Sequence, residues 1–261
     1  MTPNHLTHAI VRPPGASFAG AISSLAATID VRLARAQHAE YCAALVEAGL
    51  AVELLAPDER YPDSCFMQDP AVVIAETGVV GRLAAPARRG EEEALAEILA
   101  QRFRTARVSS PGTLEGGDVM VLPDRVLVGR SSRSNAAGIA QLAVALAARS
   151  PYTSPGLPVH AVPVAGYLHL LTAATYLGRG MLLAVQGYAG HPAFAGLSVL
   201  VVPPKESYAA NVLAAGYRVI VPAGFPGVAV QLRERGFTVL PVPMSEFAKA
   251  DGGVTCLALA W

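Results

Sequence analysis

Charge, aromatic rings and cysteine are all scarce in this sequence. Of its 261 residues only 15% are charged and 6% aromatic, with one tryptophan and three cysteines. Neither sign of charge is in excess, since 20 Lys and Arg face 20 Asp and Glu. A general nucleic-acid binder or an electrostatic membrane binder needs a basic surface, so neither partner is expected. No apolar run approaches the ~20 residues of a membrane-spanning helix; the densest, 142–148 and 197–204, stop far short. Residues 1–8 show neither a basic region nor an apolar core, so no secretory signal is expected. Cys42, Cys65 and Cys256 cannot all pair with one another, and they form no Cys-x-x-Cys zinc pattern. The expectation is a cytoplasmic protein with reduced thiols. Also missing are a Gly-x-Ser-x-Gly elbow, a phosphate loop, a dinucleotide glycine fingerprint and a His-Glu-x-x-His pair. His5 and His8 lack a third ligand, so no metal is expected.

What is abundant is apolar. Hydrophobic residues make up 52% of the chain, which excludes a disordered regulator and supplies a sizeable core. The 24 glycines and 20 prolines suit many turns between short strands. Strand-like runs fall at 9–11, 51–55, 71–75, 79–83, 119–122, 125–128, 181–186, 199–202, 218–221, 238–242 and 254–260. The Pro123-Asp124 pair between two of them predicts a tight hairpin. Helical periodicity predicts helices over 30–48, over 91–103 with an acidic start, after a Ser134 or Asn135 cap, and over 226–236. No linker or charge block divides the chain, so residues 1–261 are expected to form a single domain. A loose repeat of strand, polar residue, strand and helix places Asp69, Glu115, His169, Asn211 and Cys256 at spacings of 42 to 54 residues. Such a period suggests a circular array of α/β units.

Taken singly, the candidate residues are ambiguous. Cys256 follows a Gly252-Gly253 pair and on its own reads as a small core hydrophobe. His169 interrupts an apolar run; a buried imidazole needs one partner, whereas a general base needs a nucleophile and an orienting carboxylate. Glu115 and Asp118 bracket two glycines, and Asp63 and Asp69 bracket Cys65; such acids either face solvent or bind a cation. Arg88, Arg89, Arg130 and Arg133 read as solvated charges.

Together these residues are recognisable. The segments 57–64, Asp69-Pro70, 111–118, Ser132-Arg133-Ser134-Asn135, Leu168-His169-Leu170, 206–211 and 251–256 are collinear with, and resemble, those of bacterial dimethylarginine dimethylaminohydrolases. That family belongs to the guanidino-group-modifying (pentein) superfamily, with arginine deiminases and amidinotransferases. The resemblance implies an α/β fold, a five-bladed α/β propeller of strand-strand-helix-strand repeats. It implies Cys256 as nucleophile, His169 as general acid/base and Glu115 as its carboxylate partner. Asp63 and Asp69 resemble the acids that hold a guanidinium, and Arg88 and Arg133 the pair that fixes the amino-acid end. The implied activity is hydrolysis of methylated arginines to citrulline and an alkylamine through a covalent thiouronium, without cofactor. The implied partner is a small guanidino amino acid, and a homodimer is an assembly open to it. Two alternatives keep the same fold: an arginine deiminase-like or amidinotransferase-like reaction, or a non-catalytic binding propeller. One departure stands at the site, where relatives read Glu-Asp-Pro and this chain reads Gln68-Asp69-Pro70. Cys65 lies between the two acids, and mild oxidation is expected to inactivate the protein reversibly, through a sulfenic acid or a Cys65–Cys256 disulfide.

Overall fold

The computed structural model describes residues 6–147 and 156–261. Five three-stranded sheets carry the described residues, and in each a central strand has one antiparallel and one parallel neighbour. From β1 (His8–Val11) the chain crosses over through α1 (Val31–Glu47) to β2 (Ala51–Leu54), parallel to β1. A hairpin of β3 (Ala71–Ile74) and β4 (Thr77–Val80) follows, and α2 (Glu92–Ala100) returns the chain to β5 (Arg104–Arg107), parallel to β4. The pattern repeats in β6 (Val119–Val121), β7 (Val126–Arg130), α3 (Ala136–Ala147) and β8 (Val159–Pro163). After the short α4 (Leu170–Ala173), β9 (Ala174–Gly178) and β10 (Met181–Val185) pair antiparallel and β11 (Ser198–Val202) joins in parallel. The next sheet runs β12 (Leu213–Ala215), β13 (Arg218–Pro222), α5 (Pro226–Glu234) and β14 (Thr238–Val242). Past α6 (Ser245–Ala248), β15 (Ala258–Ala260) pairs antiparallel with β1, so the last strand completes the first sheet.

Local chemistry explains these elements. A parallel neighbour cannot be reached by a tight turn, hence the helical crossovers. Asp30 caps α1 by accepting from the Leu33 N–H, and Gly49 ends it at φ +97°, a conformation costly for a side chain. The expected strand at 254–260 is shorter, because Thr255–Leu257 coil into a 3-10 turn before β15.

The chain clusters into two compact units. Residues 68–171 hold the β3–β5 and β6–β8 sheets around a core that includes Ile74, Val126, Val128 and Leu142. Residues 6–67 with 172–261 hold the other three sheets, with a core that includes Phe18, Tyr41, Phe66 and Phe247. Among the described residues, no helix is long and apolar enough to cross a membrane.

Candidate active site

The five repeated polar residues share one place in their sheets. Asp69 precedes β3, Glu115 β6, His169 β9, Asn211 β12 and Cys256 β15, in each case within a few residues of the antiparallel outer strand. Three of the five belong to the 68–171 unit, and there the structure brings them together.

His169 Nε2 and Glu115 Oε2 are 2.9 Å apart, both side chains being buried. The other oxygen of Glu115 accepts from the Ala84 N–H at 3.0 Å, and Arg133 Nη1 lies 3.8 Å from it. Asp69 Oδ1 is 4.0 Å from His169 Nε2, is buried, and has no hydrogen-bond partner. Its second oxygen accepts from Arg88 Nη1 at 2.8 Å, and Arg88 in turn grips Glu91 at 2.8 Å. Gly117 makes room for the imidazole, since a Cβ there would stand 2.6 Å from His169 Nδ1. Burial by itself would depress the His169 pKa, but Asp69, Glu115 and Asp118 together raise it above the ordinary 6.5. Burial likewise works against the Asp69 charge, yet His169, Arg88 and Arg133 hold its pKa below the ordinary value. The surroundings thus favour the protonated form of the buried imidazole and the charged form of the buried carboxylate.

Ligand atoms of Asp69, Glu115 and His169 lie within 4.8 Å of one another, close enough to ring a cation. Two guanidinium groups already face these acids, and the histidine favours its proton. A dication would have to compete with all three charges, so the set suits a proton and an organic cation better.

The remaining two of the five, Asn211 and Cys256, lie in the other unit, as does Asp63. Cys256 is half-buried at the centre of the 3-10 turn Thr255–Leu257. The Gly253 N–H donates to its Sγ at 3.3 Å. The turn is held by Asn211, whose Oδ1 accepts from the Thr255 N–H and whose Nδ2 donates to Thr255 Oγ1, both at 2.9 Å. A side chain at Gly253 would meet Asn211 Oδ1 at 2.5 Å, and one at Gly252 would strike the Phe66 ring. Asp63 is buried and accepts from the Ile22 N–H at 3.2 Å.

Sequence reasoning missed two kinds of residue. Glu91, read as one of three acids starting a helix, is the buried ion partner of Arg88; the three-residue spacing was the available signal. Ser131 was not singled out at all. The expectation for Cys65 is corrected: it is sealed in the apolar core, which denies an oxidant the access that thiol oxidation requires.

An acid, a histidine and a cysteine at equivalent places of a repeated sheet unit match the pattern expected of the guanidino-group-modifying proteins. An arginine deiminase family model matches residues 58–154. The dimethylarginine dimethylaminohydrolase of Pseudomonas aeruginosa is 37% identical over 97% of this chain and 98% of its own. A crystal structure of the Pseudomonas aeruginosa protein, a cysteine-to-serine mutant complexed with citrulline, superposes with a TM-score of 0.93 at 34% identity, covering 98% of this chain and 99% of that one. A histidine-to-glycine dimethylarginine dimethylaminohydrolase in adduct with S-methyl-L-thiocitrulline gives the same TM-score of 0.93 and 34% identity, over 98% of this chain and 100% of that one. The chain belongs to the dimethylarginine dimethylaminohydrolase family. Its fold class is accordingly the five-bladed α/β propeller, to which the five sheets contribute one repeat each.

Proposed function

We propose that residues 1–261 act as one catalytic domain that hydrolyses Nω-methylated arginines, asymmetric dimethylarginine and monomethylarginine, to L-citrulline and an alkylamine. The observation that carries this reading is the buried His169–Glu115 pair beside a charged Asp69 oxygen with no partner. An unsatisfied buried acceptor costs about 1–3 kcal/mol, and a guanidinium N–H is a donor of the right charge to relieve it.

Each residue then has a role. Asp63 and Asp69 hold the guanidinium, Arg88 and Arg133 fix the amino-acid end, and Gln68 borders Asp69. The Cys256 thiolate attacks the guanidino carbon, forming a C–S bond and a neutral tetrahedral adduct. His169, held protonated by its acids, gives its proton to the dimethylated nitrogen as the C–N bond breaks. Dimethylamine leaves, and a cationic S-alkylthiouronium remains on Cys256. Neutral His169 next takes a proton from water, whose oxygen attacks the same carbon. The C–S bond breaks, the electron pair returns to sulfur, and the ureido product sheds its extra proton to solvent, where the amine takes one up. Glu115 keeps the imidazole oriented through both steps. No step calls for a metal or cofactor, and the reaction suits a cytoplasmic setting with reduced thiols.

The test is a panel of methylated and unmethylated guanidines with the amine and ureido products identified. Production of dimethylamine and citrulline is expected; ammonia from arginine alone would transfer the reading to a deiminase. Acid-quenched protein should carry a substrate-derived mass on Cys256, and Cys256→Ser should lose turnover while staying folded. An adduct on Cys42 would remove the assignment.

A further inference from the structure

A second acid lies buried behind His169, and the mechanism above does not use it. Asp118 is fully buried at the end of the 3-10 turn Gly116–Asp118. Its Oδ1 accepts from the Leu170 N–H at 2.9 Å, directly after His169, and its Oδ2 accepts from Ser131 Oγ at 2.6 Å. Ser131 Oγ also accepts from the Arg133 N–H at 2.9 Å and from the Ser134 N–H at 3.2 Å. Ser134 Oγ accepts from the Glu115 N–H at 3.0 Å, and Glu115 closes the circuit on His169 at 2.9 Å. We propose that Asp118 and Ser131 are positioning residues for the reaction, tying His169, Glu115 and Arg133 into one hydrogen-bonded ring. The inference rests on the function proposed above.

The ring fixes two ends of a substrate at once. Through Leu170 it sets the backbone of the proposed acid/base, and through Ser131 it sets the backbone of the arginine proposed for the amino-acid end. A neutral amide would satisfy the Leu170 N–H equally well, so shape alone does not call for a buried carboxylate, which is costly to desolvate. What the charge adds is a third acid near the imidazole. The charged groups around His169 in this unit are Asp69, Glu115 and Asp118, with Arg88 bound to the first and Arg133 near the second. The surroundings are shaped for this acid: a Cβ at Gly129 would collide with Asp118 Oδ1.

Two variants test it. Ser131→Ala removes the donor to Asp118 and the acceptor for Arg133 and Ser134. It should lower kcat/KM about tenfold, roughly what one lost hydrogen bond to a charged group costs, with part of the effect in KM; Ser131→Thr should restore most of it. Asp118→Asn keeps the shape and removes a negative charge. NMR titration of the His169 ring should then show it losing its proton at lower pH than in the parent, and the alkaline limb of the kcat profile should move the same way. Unchanged His169 titration in a folded Asp118→Asn protein, together with kcat and KM of Ser131→Ala within about twofold of the parent, would overturn the proposal. Should Asp118→Asn fail to fold, Ser131→Ala and its threonine rescue decide. A shifted His169 titration in a protein whose parent consumes no guanidine would uphold the ring and bring down the function.

Discussion

The smallest residue near His169 constrains it most sharply. Gly117 carries no side chain because the imidazole occupies that volume, with Nδ1 only 2.6 Å from where a Cβ would sit. Gly117→Ala should therefore push the ring off Glu115 while leaving the hydrophobic core untouched. Misplacement of a reacting group by ~1 Å costs about 100-fold, so a loss of that order in kcat is expected, with a lowered melting temperature as the buried His169–Glu115 pair is broken. Retained kcat would mean that the ring is not where the chemistry happens. Gln68 is the residue-scale question of specificity. It keeps an acceptor oxygen but lacks the charge that a glutamate there would carry. Gln68→Glu should raise kcat/KM for methylarginines about tenfold, the 1–2 kcal/mol that separates a neutral from a charged hydrogen bond. Equal rates for both forms on dimethylarginine, monomethylarginine and arginine would show that the side chain takes no part.

At the scale of elements, the site depends on how α3 begins. Asn135 Oδ1 accepts from Gly138 N–H at 2.9 Å and from Thr113 N–H at 3.1 Å, so one amide caps the helix and ties down the segment that leads to Glu115. Asn135→Ala should cost about 1–2 kcal/mol as a lost cap. Thermal denaturation should record a drop of about 2–4 °C per kcal/mol for a chain of this size, and a melting temperature equal to the parent's would contradict the account. The cap itself was legible, though the sequence left Ser134 and Asn135 as equal choices. Ser134 turns instead to the Glu115 N–H. Strands with apolar centres were legible too: β7, β10, β13 and β14 are largely buried runs. Others were not. β5 is Arg-Thr-Ala-Arg and mostly exposed, so it joins β4 by backbone pairing without an apolar signal. β8 is likewise an exposed outer strand, and β12 is three residues with two alanines. β9 was hidden by the continuous apolar run after His169, whose first part coils into α4. The site was visible as five isolated polar marks. Its wiring was not, because Asp118 meets Ser131 and Leu170 across 13 and 52 residues of chain, and no local pattern encodes those partners.

For the molecule as a whole, buried ionisable groups dictate where stability must peak. His169 has its pKa raised in the fold, with burial outweighed by Asp69, Glu115 and Asp118. Its stabilisation is complete below the ordinary 6.5 and is lost as pH rises through the raised value. His38, buried on α1 and with no partner for Nε2, goes the other way: burial lowers its pKa from 6.5 to about 4. In the unfolded chain it takes up a proton near pH 6.5, while the folded chain refuses one until about pH 4. Stability therefore falls across that interval, by about 3 kcal/mol if the full difference is expressed. Asp69, whose pKa is held low by His169 and Arg88 against the effect of burial, adds a further loss once pH drops below the ordinary carboxylate value of 3.8. The melting temperature should thus be highest near pH 6.5 and decline on both sides. His38→Leu removes the acid-side titration without adding a charge. It should flatten the curve between pH 6.5 and 4 and leave the alkaline decline in place. A parent protein whose melting temperature is level from pH 6.5 to 4, or a His38→Leu curve that keeps the parent's acid slope, would show that this buried histidine does not set the acid limit.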